Sequence, residues 1–216
     1  MPRYWRGYTY GNALSLRYAK CRGWLWTFRK YTDYPDHLDL RFTKTGQLRI
    51  PATKDQEKCG CCWAIASTTV FSTAVFDARI GQKDRLLDFS EQYLVDCISE
   101  KKKHLSGCRG VPIADSFELI QTDGLPLNSF YEYKSGVTGK PQSCGVASKK
   151  ALTQTMKKGL LYKASEHGTL QGYKAAMDFL TAKRLPLVTR IFAPPSIHEY
   201  DGTFVYAPSI KECEEA

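Results

Sequence analysis

The chain has 216 residues, 43% of them hydrophobic, and a formal net charge of +9. This length is sufficient to bury a core as one domain or as two small lobes. The sequence contains no run of about 18 apolar residues, which is close to the minimum for a helix that spans a bilayer. Length and composition therefore predict a soluble globular protein and exclude an α-helical membrane protein.

The first 33 residues differ from the rest in charge. They contain seven Lys and Arg residues against one acidic residue, a net of +6, whereas the remainder carries only +3. Aromatic residues are interleaved with the basic ones, a pattern that can bind single-stranded nucleic acid or a membrane surface. We favour a leader or partial propeptide without a nucleic-acid or membrane partner, because chain termini are commonly disordered. No apolar stretch is long enough for a signal peptide.

Eight cysteines are spread over the chain, at positions 21, 59, 61, 62, 97, 108, 144 and 213. Scattered cysteines on this scale suit an oxidising compartment, in which they form disulfides. The alternatives are a cytosolic protein with reduced thiols or a zinc site. Metal spacing is poor, because no histidine lies at ligand distance from the cluster at 59–62. We therefore predict disulfides, with no metal and no cofactor.

Structural elements are expected from about residue 34 onwards. Extended backbone is predicted around 48–51, followed by a helix over 62–80 that is apolar or small on nearly all sides. Ser90 is a good N-cap for a second helix that runs to about Cys97. These patterns predict a buried central helix and a shorter, well-capped one.

Later elements change from helices to strands. Pro112 at a first helical position and Gly124 after the end bracket a third helix. Glycines and prolines between 135 and 150 indicate a loop and a lobe boundary, and 169–183 has the pattern of an amphipathic helix. Strands are predicted over 186–192 and 202–206. Helices first and strands later favour an α+β protein with an α lobe and a β lobe.

The stretch 55–64, which reads Asp-Gln-Glu-Lys-Cys-Gly-Cys-Cys-Trp-Ala, carries the strongest chemical signal. Cys62 would begin the central helix, whose positive end favours a thiolate. The backbone N–H of Cys62 and the side-chain amide of Gln56 are suited to hold a developing oxyanion, and Trp63 would wall one side of a cleft. The sequence therefore predicts a cysteine nucleophile with an oxyanion hole.

Three short sequence motifs follow one another along the first half of the chain. Residues 59–63 read Cys-Gly-Cys-Cys-Trp, residues 89–97 read Phe-Ser-Glu-Gln-Tyr-Leu-Val-Asp-Cys, and residues 107–110 read Gly-Cys-Arg-Gly. These segments resemble the nucleophile signature, the second helix and the Gly-Cys-Asn-Gly turn of the papain-like cysteine proteases, with Cys61 at the usually small position. Further matches in family order extend the resemblance over about residues 34 to 213.

The resemblance implies a papain-like two-lobe fold of the α+β class. Its helical first lobe would have a central helix that starts at the nucleophile, and its β second lobe would be incomplete in this chain. The implied peptidase domain covers 34–216, with a lobe boundary near 135–150. The implied disulfides join Cys59 to Cys108 and Cys97 to Cys144.

The resemblance also implies the substrate cleft. The cleft would include Gly110. After it the family usually has a second glycine, whose backbone pairs with an extended peptide, whereas here Val111 stands at that position and would alter or obstruct the pairing. Ile113 would line an apolar pocket for the substrate residue two before the cleaved bond, although such residues also serve ordinary helix packing. Cys61 is a second thiol beside Cys62, either a small filler or an oxidation partner.

The catalytic base that the family requires is not identifiable in the sequence. The family uses a His oriented by an Asn in the second lobe, roughly 130–150 residues after the Cys. His198 lies in that window, but it precedes the strand that the family's histidine follows. His37, His104 and His167 fit no better, and no Asn-Ser-Trp motif is present. We therefore expect the chain to be truncated before the catalytic His and Asn.

The leading hypothesis is a cysteine-type endopeptidase that hydrolyses peptides or proteins through an acyl-thioester at Cys62 and that is inactive without its missing base. A propeptide or inhibitor in the cleft is a further expected partner. The resemblance and the cysteine usage imply a secreted or lysosomal location. The alternative is a catalytically inactive homologue that binds peptides or acts as a regulator.

Overall fold

The computed structural model describes residues 34–35, 37–78, 86–144, 161–191, 193–203, 206, 209 and 211–212. The chain divides into two compact units. The larger unit spans Asp39–Thr169 and Lys183–Val188, and the smaller unit spans Met1–Leu38, Leu170–Ala182 and Thr189–Ala216. The basic leader and the last part of the expected lobe boundary lie outside the described residues, so both stay predictions.

Helix α1 (Cys62–Ala78) is the longest helix among the described residues and is largely buried. Its residues are apolar or small on nearly every side, so it has no broad polar face to expose to water. The hydroxyl of Thr73 is satisfied by the carbonyl of Thr69 at 3.0 Å, which allows this polar side chain to be buried. The predicted helix is confirmed as far as Ala78, and residues 79 and 80 lie outside the described part.

Helix α2 (Glu91–Lys101) begins at the predicted cap. The hydroxyl of Ser90 accepts a hydrogen bond from the Tyr93 N–H at 3.0 Å, which satisfies one of the free donors of the first turn. The predicted end at Cys97 is wrong by one turn. The helix continues because Ile98 is buried and residues 98–101 contain no glycine or proline to stop it.

Helix α3 (Ile113–Thr122) and the single turn α4 (Ser135–Thr138) follow in the larger unit. Pro112 is the residue before α3 rather than its first residue, because its ψ of 134° is not helical. Gly124 follows the helix as predicted, with a φ of +86° that side-chain-bearing residues rarely adopt. The bracketing residues were therefore recognised, with the start displaced by one position.

Helices α1, α2 and α3 pack against one another around a single hydrophobic core. The ring centroids of Phe71 and Phe89 lie 4.8 Å apart, and Phe89 meets Tyr162 edge-on at 5.2 Å. Such aromatic pairs contribute about 0.5–1.5 kcal/mol beyond the area they bury. Tyr162 also forms an antiparallel bridge with Leu125, so the chain returns to the helical core at this point.

The β structure of the described residues consists of isolated bridges. Phe42 and Leu48 pair across a tight turn, at the start of the stretch predicted to be extended. The strand predicted over 186–192 is not formed, because 186–191 has no paired neighbour and β propensity acts only through such neighbours. Residue 192 lies outside the described residues, and the second predicted strand, 202–206, is only partly described and stays a prediction.

Helix α5 (Gly172–Lys183) lies in the smaller unit apart from its last residue. It begins three residues after the predicted Thr169, because the φ of +83° at Gly172 interrupts a right-handed helix. A short 3₁₀ helix, Pro195–Glu199, follows in the same unit. Of the helices in the described ranges, none is both long enough and apolar enough to cross a bilayer.

A buried carboxylate lies within α2. Asp96 is fully buried and accepts hydrogen bonds from Gln92 Nε2, the Gln142 N–H and the Tyr131 hydroxyl at distances of 2.7–2.8 Å. No ion pair neutralises it in the described part of the chain. Burial outweighs the three hydrogen bonds and raises the pKa of the Asp96 carboxyl above its usual range.

We expect Asp96→Asn to change how stability depends on pH. Because burial raises the pKa of Asp96, the folded chain holds this proton more tightly than the unfolded chain, in which aspartates titrate near about pH 3.9. The stabilisation by the neutral form is complete below that pH and is lost as pH rises through the folded-state pKa. The stability of Asp96→Asn minus that of the wild type should therefore increase from about pH 4 to 7, as measured by urea midpoints.

Asp178→Asn serves as the control with the opposite sign. Hydrogen bonds from Lys174 and Tyr34 lower the pKa of the exposed Asp178 carboxyl, so its charged form stabilises the fold above the unfolded-state pKa. The difference between this variant and the wild type should become less favourable as pH rises through about 3.9, the unfolded-state value, and should stay flat from there to pH 7. A flat or falling difference for Asp96→Asn would contradict the assignment of a raised pKa.

Candidate active site

Cys62, the predicted nucleophile, is the first residue of α1 and carries a free, exposed thiol. Backbone N–H groups in the first turn of a helix have no intrahelical acceptor, and they point towards the end of the helix at which Cys62 lies. The Cys62 N–H donates to no acceptor among the described residues. The thiol and a free N–H donor therefore lie at the same residue.

Two segments, 59–63 and 107–110, are held together by four contacts that we call the clamp. The contacts are the Cys59–Cys108 disulfide, the Gly60 N–H to the Cys108 carbonyl at 3.0 Å, the Gly110 N–H to the Gly60 carbonyl at 3.2 Å, and Trp63 Nε1–H to the Gly107 carbonyl at 3.0 Å. Gly60 and Arg109 thereby form a parallel bridge. The clamp places the start of α1 against the turn that precedes α3.

Gly60 and Gly107 each allow a close backbone contact, the first within the clamp and the second between the clamp and α2. A Cβ atom on Gly60 would lie 2.8 Å from the carbonyl oxygen of Cys108, and one on Gly107 would lie 2.1 Å from the carbonyl oxygen of Val95. Both neighbours are backbone atoms, which cannot swing aside as a flexible side chain can. The close approach of the two clamp segments therefore requires glycine at position 60, and the close packing of the 107–110 segment on α2 requires glycine at position 107.

Both disulfides that the resemblance implied are present. Besides Cys59–Cys108 in the clamp, Cys97 of α2 is joined to Cys144. Each disulfide typically contributes about 2–4 kcal/mol by restricting the unfolded chain. The second one fastens α2 to the segment that follows α4.

Gly110 offers open backbone beside the clamp. It is exposed, has a φ of +79°, and a Cβ atom built on it would meet nothing within 4 Å. Its carbonyl accepts no hydrogen bond from the described residues. This backbone has the space and the free acceptor that an extended peptide would need, and the cleft role of Gly110 stays a prediction.

The other predicted cleft residues are mostly buried. Trp63 is 3% exposed and anchored to Gly107, and Val111 is 6% exposed within the core cluster. Nearly all of Val111 is packed inward, so it leaves little bulk outside to obstruct a peptide. Ile113 is half-buried against the same cluster. The cleft roles of these three residues stay predictions.

The side-chain amide of Gln56, the predicted oxyanion donor, has no hydrogen-bond partner in the described part of the chain. Its Oε1 is buried without a hydrogen-bond partner, and its Nε2 donates to no acceptor among the described residues. Its backbone is held more firmly, because the Gln56 carbonyl accepts from the Cys59 N–H at 3.2 Å and from the Tyr133 hydroxyl at 2.8 Å. The amide is therefore available as a donor on an anchored loop.

Tyr133 connects Gln56 to Cys61, a role that the sequence analysis missed. Because the Tyr133 hydroxyl donates its one proton to Gln56, the Cys61 thiol must donate to Tyr133, at 3.1 Å. Cys61 is fully buried, and burial raises the pKa of its thiol. Burial and the contact with Cys61 also raise the pKa of Tyr133. The neighbouring thiols thus differ, with Cys61 internal and protonated and Cys62 exposed.

The four histidines are all exposed, and neither His104 nor His167 is hydrogen-bonded to Cys62 in the described part of the chain. His104 and His167 belong to the larger unit, and His167 stacks on Phe117 with a centroid distance of 6.3 Å. His37 and His198 belong to the smaller unit. Within the described ranges there is also no cluster of three or more His, Cys, Asp or Glu side chains arranged to hold a metal ion.

Comparison with known proteins agrees with this arrangement of residues. The family model described as "Papain family cysteine protease" matches residues 34–215. Because the match covers most of the sequence, the chain belongs to the papain family of cysteine proteases. The predicted papain-like fold class is confirmed by this membership together with a helical lobe whose central helix starts at Cys62.

Individual relatives match the chain in part. Peptidase 1 of Dermatophagoides pteronyssinus is 33% identical over 110 residues, which are 51% of this chain and 29% of the relative. Chymopapain of Carica papaya is 32% identical over 122 residues, which are 53% and 31% of the two chains. Pro-cathepsin H of Mus musculus is 32% identical over 120 residues, which are 55% of this chain and 32% of the relative. The matched region thus spans about a third of each relative.

Among solved structures, the chain is similar to the Amb a 11 cysteine protease, a major ragweed pollen allergen, in its proform. The TM-score is 0.41 and the identity is 29%, over 55% of this chain and 32% of that one. A second similar structure, digestive procathepsin L 3 of Tenebrio molitor larval midgut, gives a TM-score of 0.38 at 28% identity, over 44% and 28% of the two chains.

We expect Gly60→Ala to destabilise the fold by about 1–3 kcal/mol, because its methyl group would press on backbone in the clamp. Gly168→Ala is the matched control, since a Cβ at Gly168 meets nothing within 4 Å. The control should be neutral or stabilising by up to about 1 kcal/mol. Urea midpoints of both variants test this. Equal stability of the two would show that the close approach of Gly60 to Cys108 is unimportant.

Proposed function

We propose that this chain supplies the nucleophile and oxyanion hole of a cysteine-type endopeptidase. The Cys62 thiolate would attack the carbonyl carbon of a peptide bond, and the resulting oxyanion would accept hydrogen bonds from the Cys62 N–H and Gln56 Nε2. Loss of the amine would leave an acyl-thioester on Cys62, which water then hydrolyses. The substrate is a peptide or protein, and a propeptide or inhibitor would occupy the same cleft.

The exposed thiol of Cys62 at the start of α1 is the observation that carries this proposal. It combines the two requirements of a cysteine nucleophile, access to substrate and a helix N-terminus. The clamp holds it beside the open backbone of Gly110. The two disulfides support an oxidising location, secreted or lysosomal, for the protein.

The proposal extends to the organisation of the chain. Residues 34–216 would form one papain-like peptidase domain with a lobe boundary near 135–150, and residues 1–33 a leader or partial propeptide. The catalytic His and Asn would not be among these residues. The isolated chain would then bind peptides without appreciable turnover.

A second candidate function is an inactive homologue that binds peptides or acts as a regulator. The observation in its favour is that, among the described residues, neither His104 nor His167 of the larger unit is hydrogen-bonded to Cys62. Without a general base, a cysteine site loses proton transfer to the leaving amine. The two functions differ in whether a histidine can be supplied to Cys62.

We predict that limiting iodoacetamide labels Cys62 before the other thiols of the folded chain. Cys61 should react far more slowly, because burial limits access and raises the pKa of its thiol. Peptide mapping of the adduct measures the order of labelling, and Cys62→Ser is the control that should abolish the fast phase. Labelling of Cys61, Cys21 or Cys213 with Cys62 untouched would contradict the assignment.

We predict negligible peptidase activity for residues 1–216 alone, at least about 10³-fold below that of a complete cysteine site. Hydrolysis of a fluorogenic peptide is the measurement, with Cys62→Ala as the background. Turnover at an ordinary rate would contradict the absence of a base. If His198→Ala then abolished that turnover and the exposed control His167→Ala did not, His198 would be the base.

A further inference from the structure

An exposed cation lies beside the proposed nucleophile. Arg109 is exposed and sits in the clamp between Cys108 and Gly110. Its side chain forms no ion pair or hydrogen bond with any of the described residues. By contrast, Lys101 and Lys102, a few residues earlier, are paired with carboxylates of the α3 region. The guanidinium of Arg109 is therefore not neutralised by a carboxylate among the described residues.

The parallel bridge between Arg109 and Gly60 sets its distance from the nucleophile. Bridged residues lie about 4.8 Å apart, and each of the two steps from Gly60 to Cys62 adds at most about 3.3 Å, so the Cα atoms of Arg109 and Cys62 are within about 11 Å. The Gly60–Cys108 and Gly110–Gly60 hydrogen bonds hold Arg109 on both sides. The backbone that carries the guanidinium is therefore fixed next to the reacting sulfur.

The position of Arg109 beside the Cys62 segment indicates which part of a substrate it would meet. Cys62 would attack the carbonyl carbon of one substrate residue, so that residue would lie against the sulfur. Because the parallel bridge with Gly60 brings Arg109 close to Cys62, the side chain of that same residue would be the substrate side chain nearest to Arg109.

We infer that Arg109 makes this site selective for peptides with an acidic side chain at the residue whose carbonyl Cys62 attacks. This inference rests on the proposed function, since it requires Cys62 to be the reacting thiol. An exposed arginine and a carboxylate attract by ion pairing and bidentate hydrogen bonding, which a neutral amide cannot reproduce in full. The substrate class is then acidic at this one position.

Two matched peptidyl chloromethyl ketones test the inference without requiring a catalytic base. They are acetyl-Leu-Asp and acetyl-Leu-Asn chloromethyl ketone, which differ in charge but hardly in shape. The Cys62 sulfur displaces chloride from the methylene carbon, so that a carbon–sulfur bond forms, a carbon–chlorine bond breaks, chloride leaves and the thiol proton passes to solvent. The rate of adduct formation on Cys62 is followed by mass spectrometry for each reagent.

The quantity compared is the ratio of the Asp rate to the Asn rate. In the wild type we expect a ratio of about three to five at low salt, falling towards one in high salt, as for an exposed ion pair. Arg109→Gln should bring the ratio to about one, and Arg109→Glu should bring it below one. A wild-type ratio of one, or a ratio unchanged by Arg109→Gln, would overturn the inference.

Lys44→Gln is the matched control for general charge effects. Lys44 lies in the turn before Arg49. The Arg49 carbonyl accepts a hydrogen bond from the Thr73 hydroxyl at 3.2 Å, and Thr73 is eleven residues along α1 from Cys62. That is about 16 Å along the helix, about two screening lengths at physiological salt. The ratio should not change in this variant, and a fall equal to that of Arg109→Gln would overturn the inference. Iodoacetamide tests the proposed function separately, because failure to label Cys62 would refute that proposal itself.

Discussion

The close approach of Gly60 to Cys108 is the constraint on which the site depends. A disulfide and a pair of backbone hydrogen bonds act at this point, and both need a residue without a side chain at position 60. Because α1 starts two residues later, the clamp decides where its free N–H groups point. The position of Cys62 is therefore set by the turn before α3 as much as by α1 itself.

A second support reaches the site from α2 through buried polar groups. Gln92 accepts from the backbone N–H groups of Lys134 and Ser135 at 2.7 and 2.8 Å, which fixes the residues next to Tyr133. Tyr133 in turn holds the carbonyl of Gln56. Gln56, the proposed oxyanion donor, is thus connected to α2 through Tyr133 and Gln92. Removing one member of such a buried polar network is costly, because its partner is left without a hydrogen bond.

The proposed cleft is formed more by backbone than by side chains. Trp63 and Val111 are buried beneath it, where they pack and anchor rather than present a surface. What remains outside is the open backbone of Gly110 and the charge of Arg109. A site of this kind would accept many extended peptides through their main chains and discriminate among them by few side-chain contacts.

The sequence by itself determined the start of α1 at Cys62, the cap at Ser90 and the two disulfides, because these follow from short motifs whose chemistry is local or whose order is shared with a family. Only the tertiary structure decided the extra turn of α2, the inward packing of Val111, the absence of a strand over 186–191 and the link from Cys61 through Tyr133 to Gln56. These depend on partners far away in the chain, as in the separation of 77 residues between Tyr133 and Gln56. Hydrophobic periodicity and propensity carry no information about such partners, since burial and strand pairing are properties of the assembled core.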